Sequence, residues 1–110
     1  MKRVVVTGMG VVSALGNNLT QSWKRLHTYQ NAVLKMEELE KYKGLNAHLG
    51  APILDFTIPE HFTRKILRTM GPVSVMAVYS AEEALTQAGL KDNVDILTSG
   101  RTGVAYGSSW

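Results

Sequence analysis

The stretch TGMGVVSALG occupies residues 7–16 and follows three consecutive valines, Val4, Val5 and Val6. A β-branched run without polar alternation suits a strand buried on both faces, as in a parallel sheet under helices. A glycine-rich turn after such a strand has two readings. It cradles a nucleotide phosphate, or it lets the backbone approach a neighbour closely. The dinucleotide fingerprint needs Gly-x-Gly-x-x-Gly and an acidic residue about 20 positions further on to hold the ribose. Gly8 and Gly10 match, but Ser13 takes the third glycine position and no acidic residue precedes Glu37. A Walker loop fails as well, because no Gly-Lys-Ser or Gly-Lys-Thr follows. The pattern favours packing glycines at Gly8, Gly10 and Gly16, with Met9, Val11, Val12 and Leu15 turned inward, over a nucleotide-binding module.

Downstream of this turn, Thr20 is placed to cap a helix running through Trp23 and Leu26 towards Tyr29. Leu19, Trp23 and Leu26 form one stripe at helical spacing. Residues 30–58 show no sustained period and read as loops and short elements, punctuated by Gly44, Gly50 and Pro52. Pro59 opens a short helical turn through Phe62, Ile66 and Leu67. Pro72 then fits the first turn of a helix reaching about Ala88, with Gly89 as its stop. The first half of that helix is apolar nearly all round, which predicts burial on every side; a wet face begins only at Glu82 and Glu83. Val94, Ile96 and Leu97 read as a short strand or an approach to one, and residues 103–106 as another strand.

The 110 residues suit one domain, with 45% hydrophobic and 19% charged residues and a formal charge of +3. Arg64, Lys65 and Arg68 are the only local basic cluster, and they read as a solvated helix face rather than a nucleic-acid surface. There is no cysteine, so disulfides, Cys-ligated metal and a cysteine nucleophile within this chain are excluded. That composition is compatible with a cytoplasmic location, which is the expectation here. Lys2-Arg3 precedes an apolar segment, but its valines and its breaks at Thr7, Gly8 and Gly10 argue against a secretory signal. No apolar run approaches the ~20 residues of a membrane span. His27, His48 and His61 are scattered without partners at ligand spacing and read as surface residues, and Ser13, Ser108 and Ser109 have no base in reach by sequence. No catalytic residue, metal ligand or cofactor site is therefore predicted from the residues themselves.

Residues 3–16, RVVVTGMGVVSALG, resemble the N-terminal signature of the β-ketoacyl-acyl carrier protein synthases, and most of all the type II elongation enzymes. Residues 64–89 resemble the family's first long helix, with its Arg-x-Met approach and Ala-x-x-Ala-Leu close. GVAYGSS at 103–109 resembles its next strand and Gly-Ser-Gly turn. The match is loose over about 32–56, and the family usually has no proline where Gly71-Pro72 stands, so the helix is expected to begin later than in relatives. The resemblance implies an α/β, thiolase-like fold layered αβαβα, of which residues 1–110 would be the N-terminal portion of the N-terminal domain.

It further implies a parent activity that condenses acyl groups with malonyl-acyl carrier protein. A cysteine would carry the acyl group, and two histidines would assist decarboxylation; all three lie downstream of the matched segment. The acyl carrier protein and a second synthase subunit, identical or homologous, are the implied partners. By register Trp110 would wall the acyl pocket, where an indole shortens a straight tunnel; the competing reading is a terminal side chain packed elsewhere. The segment alone would be inert, or would serve as a non-catalytic partner of a full-length synthase.

Overall fold

The computed structural model describes residues 1–108. Helix α1 spans Leu19–His27, strands β1 (Leu34–Lys35) and β2 (Leu49–Gly50) form a two-stranded antiparallel ribbon, and a single 3-10 turn spans Glu37–Leu39. Helix α2 (Arg64–Leu67) leads to α3 (Pro72–Gln87), and α4 (Val94–Thr98) follows.

The helix ends follow local chemistry. Asn18, not Thr20, caps α1: its side chain accepts a hydrogen bond from the Gln21 N–H at 2.9 Å, which satisfies one of the free donors of the first turn. At the other end Tyr29 takes a left-handed conformation (φ 58°), and the Gln30 N–H reaches back to the Arg25 carbonyl at 2.9 Å. This is a glycine-type stop made with a tyrosine. Helix α3 starts at Pro72, directly after its N-cap Gly71, where the proline's missing N–H costs no intrahelical bond. Gly89 (φ 71°) closes α3, with the Leu90 N–H on the Leu85 carbonyl at 2.8 Å.

Three expectations are corrected. The segment at 94–98 is a helix, because Asn93 caps it through the Ile96 N–H at 3.1 Å, and an Asn cap outweighs the strand propensity of Val94 and Ile96. Val4, Val5 and Val6 lie in no strand and are 92%, 71% and 79% exposed, and residues 103–106 are likewise outside any strand. A strand exists only with a ladder partner, and the described residues offer these segments none. Helix α3 is not buried on every side either: Val75 is its one buried residue, while Val73 and Val78 face solvent.

The covered core is accordingly small. Phe62 and Val75 are its buried hydrophobic residues among those described. The chain exposes 9573 Å² of surface, against about 6,000 Å² for a compact monomer of this mass. Its radius of gyration is 17.4 Å, against about 13 Å for a compact domain of about 100 residues. The apolar face of α1, with Trp23 and Leu26, points outward, whereas the polar Ser22 is buried against the glycine-rich turn.

Candidate functional site

The best-organised part of the molecule is the junction of the glycine-rich turn with α3 and α1. A Cβ on Gly8 would lie 2.0 Å from the Ala84 carbonyl oxygen, and one on Gly10 would lie 1.8 Å from that of Ser80. Both glycines therefore rest on helix backbone. The two spacings match: two residues of extended chain advance ~6.6 Å, and one four-residue step of helix advances ~6.0 Å. Gly8 meets Ala84 and Ala88, and Gly10 meets Ser80 and Ala84, so the segment runs antiparallel to α3 over a ladder of small residues.

Between these contacts, side chains of α3 take the loop's N–H groups. Met9 N–H donates to Gln87 Oε1 at 2.6 Å, and Val11 N–H donates to Glu83 Oε2 at 3.0 Å. The other oxygen of Glu83 accepts from the Leu19 N–H at 2.8 Å. Leu19 is the first residue of α1, where a carboxylate also meets the positive end of the helix dipole. One side chain thus joins the turn, α1 and α3. It also occupies the donors a phosphate would use, and its carboxylate would repel one. Ser13, standing where the dinucleotide fingerprint needs glycine, closes a tight turn instead. Its N–H and carbonyl pair with Gly16 at 2.9 and 3.1 Å, and its Oγ lies 3.2 Å from Ser22 Oγ. Arg25 donates to the Leu15 carbonyl at 3.1 Å from the far side.

A second cluster was not legible in the sequence. His61 does have a carboxylate partner: its Nε2 donates to Glu82 Oε2 at 2.7 Å, while Lys91 Nζ lies 2.5 Å from Glu82 Oε1. The Lys91 and His61 hydrogen bonds hold the Glu82 carboxyl below the usual carboxylate range, and Glu82 in turn raises the Lys91 ammonium. Glu82 and Glu83 are therefore half-buried connectors rather than the start of a wet face. The other histidines stay apart: His27 is exposed and stacks on Trp23 with centroids 6.0 Å apart, and the buried Nδ1 of half-buried His48 has no hydrogen-bond partner among the described residues. Among the described residues no three His, Asp or Glu side chains gather at metal-binding distance, and no helix is long and apolar enough to cross a membrane. Trp110, the residue read as an acyl-pocket wall, and Ser109 before it lie outside the described residues.

The family model described as "Beta-ketoacyl synthase, N-terminal domain" matches residues 1–110. The chain belongs to the β-ketoacyl synthase family. A crystal structure of a β-ketoacyl synthase from Burkholderia phymatum STM815 superposes with a TM-score of 0.85 at 43% identity, covering 99% of this chain and 26% of that one. The α/β, thiolase-like class read from the sequence is thus that of the corresponding part of a synthase. The 3-oxoacyl-[acyl-carrier-protein] synthase 2 of Staphylococcus aureus (strain COL) is 33% identical over 107 residues, 97% of this chain and 25% of that protein. Nodulation protein E of Rhizobium meliloti (strain 1021) is 39% identical over 93 residues, 84% of this chain and 22% of that protein. The synthase segment described here spans about a quarter of the length of the curated relatives it matches.

Proposed function

We propose that residues 1–110 are the N-terminal portion of the N-terminal domain of a 3-oxoacyl-acyl carrier protein synthase, acting in fatty-acid or polyketide-type synthesis. In the parent reaction a cysteine thiolate attacks the acyl thioester and releases the carrier thiol. Malonyl-carrier protein then loses CO2, its carbanion attacks the enzyme thioester, and the new C–C bond forms as the cysteine leaves. Histidines assist the decarboxylation, and backbone N–H groups stabilise the developing oxyanion. This chain has no cysteine, and its histidines at 27, 48 and 61 match no family histidine, so its own part is scaffold. The glycine turn, seated on α3 and locked by Glu83, sets the first layer on which the site is built.

The observation that carries this reading is the family match across residues 1–110. The implied partners are an acyl carrier protein and a second synthase subunit, the implied location is the cytoplasm, and Trp110 is assigned to the acyl-pocket wall. The test is the reading frame past Trp110 together with a condensation assay on the 110-residue chain. A continuing frame with a cysteine at a strand-to-helix elbow, and no 3-oxoacyl product from the short chain, support the proposal.

The uncovered apolar surface of α1 and residues 4–6 favours a second reading, a non-catalytic partner docked on a full-length synthase. A stop codon directly after Trp110, with co-elution of the chain and a complete synthase, would select that reading.

A further inference from the structure

A cavity of about 680 Å³ lies where α1 meets residues 30–32 and residues 52–55. Its position follows from the way α1 ends. Tyr29 has a positive φ of 58°, which costs a side chain with a Cβ some strain. That turn sends the chain back along the helix, where the Gln30 N–H bonds the Arg25 carbonyl at 2.9 Å. Gln30 and Asn31 thereby join Gln21, Lys24 and Arg25 of α1 on one wall. Gln21, Lys24 and Arg25 share a helix face, being three and four residues apart. Asn17 Nδ2 donates to the Asp55 carbonyl at 2.8 Å and ties residues 52–55 to the glycine-rich turn. The volume falls within the roughly 300–1,000 Å³ of small-molecule sites.

The hydrogen-bonding capacity of this wall is unevenly used. Gln21 Oε1 accepts from the Asn17 N–H at 3.1 Å, and Asn31 Oδ1 accepts from the Val33 N–H at 3.0 Å. The NH2 groups of the same two amides have no partner among the described residues. Half-buried Arg25 spends Nη1 on the Leu15 carbonyl at 3.1 Å, a neutral acceptor that leaves its charge uncompensated. Neither Arg25 nor Lys24 has an ion-pair partner among the described residues. Acceptors are taken and donors are left, so the complement is a molecule rich in oxygen and negatively charged. Asp55 is the one carboxylate on the wall and also lacks an ion pair there, so it can accept from hydroxyl groups. No aromatic side chain lines the cavity, which leaves a nucleotide base without a stacking surface. We propose that this cavity binds a sugar phosphate, with the phosphate at Lys24 and Arg25 and the sugar hydroxyls between Asn31 and Asp55. The inference rests on these residues alone and holds whether or not the proposed synthase activity does.

Equilibrium dialysis of the 110-residue chain against radiolabelled glucose 6-phosphate reads binding whatever the chain's state of association. The expected result is saturable binding, with glucose and inorganic phosphate competing about tenfold more weakly or worse, since each offers half of the contacts. AMP competes no better than ribose 5-phosphate. Lys24→Gln weakens binding about fivefold, the size of one exposed charge contact. Asn31→Asp keeps the acceptor for Val33 but replaces the free donor with a second negative charge, and weakens binding about tenfold. Lys43→Gln removes an exposed, unpaired lysine outside the cavity and leaves binding unchanged. Lys24, Asn31 and Lys43 are all exposed, and melting curves matching the parent confirm that the fold is intact. Inorganic phosphate binding as tightly as glucose 6-phosphate would mean a bare anion patch and overturn the proposal. So would equal losses in Lys24→Gln and Lys43→Gln, which mean diffuse attraction to a basic chain. AMP binding far more tightly than ribose 5-phosphate, or no saturable binding of glucose 6-phosphate at all, also overturns it.

Discussion

Gly10 is the residue on which the junction turns. Its missing side chain is required by the Ser80 carbonyl, 1.8 Å from where a Cβ would stand. The obstacle is helix backbone, which cannot rotate aside as a side chain would. Gly10→Ala must push the turn off α3 and break the bond from Val11 N–H to Glu83. We expect a loss of at least ~3 kcal/mol, at the upper end of overpacking effects, read as the shift in urea midpoint. Gly71→Ala is the control, because nothing lies within 4 Å of the Cβ that would be added there; a similar loss in both variants would sink the close-approach explanation. The reading of Gly8 and Gly10 as packing glycines was available from the sequence, since Ser13 and the absent acidic residue removed the nucleotide alternative. Which backbone they pack against was not, because Ser80, Ala84 and Ala88 lie some 70 residues away.

At the scale of the element, α3 works as a connector as much as a core helix. Glu83 accepts from Val11 and Leu19, and Gln87 from Met9, so its polar side chains take over a role that strand neighbours often play. Glu83→Ala leaves two partly buried N–H groups unbonded and should cost ~2–3 kcal/mol; a cost under half a kcal/mol would mean that water replaces the carboxylate freely. Glu82 ties α3 to His61 and Lys91, and its effect depends on pH. Its carboxyl is lowered in the folded chain, so the unfolded chain binds more protons between the two values. The stabilisation is complete above the ordinary glutamate value of about 4.3 and is lost as pH falls through the lowered folded value. Lys91 acts at the alkaline end: its raised ammonium contributes below the ordinary lysine range, and that contribution is lost as pH rises through the folded value. Glu82→Gln should therefore melt below the parent at pH 6, and the two midpoints should converge below about pH 4. Parallel midpoints across that range would show that the carboxylate's charge plays no part. The boundaries of α3 were legible because Pro72 and Gly89 act locally. The bridges of Glu82 and Glu83 were hidden because each depends on residues brought in by the fold.

The whole molecule departs most from its sequence pattern where a partner surface is missing. The valines at 4–6 and the segment 103–106 have strand composition, and α3 has the composition of a helix covered on all sides. Yet a ladder needs two strands and a buried helix needs two layers, and neither is supplied by the described residues. Composition reports the environment a segment is built for, and in the Burkholderia phymatum synthase the corresponding part, superposed with a TM-score of 0.85, makes up only 26% of the chain. The chain by itself exposes Val4, Val5, Val6, Trp23, Leu26 and Tyr106 together. Its surface of 9573 Å² exceeds that of a compact monomer by more than half. Exposed apolar side chains in this number favour association. We expect the isolated 110-residue chain to elute from gel filtration as a dimer or larger species whose share rises with concentration, to bind a hydrophobic dye, and to melt over a broad range. Lys replacing Val5 should shift the distribution towards monomer without altering the contacts of Gly8 and Gly10, because Val5 makes no covered contact in this chain. A monodisperse monomer with a single cooperative melt and no dye uptake would show instead that the extended segments fold back on the chain's own surface.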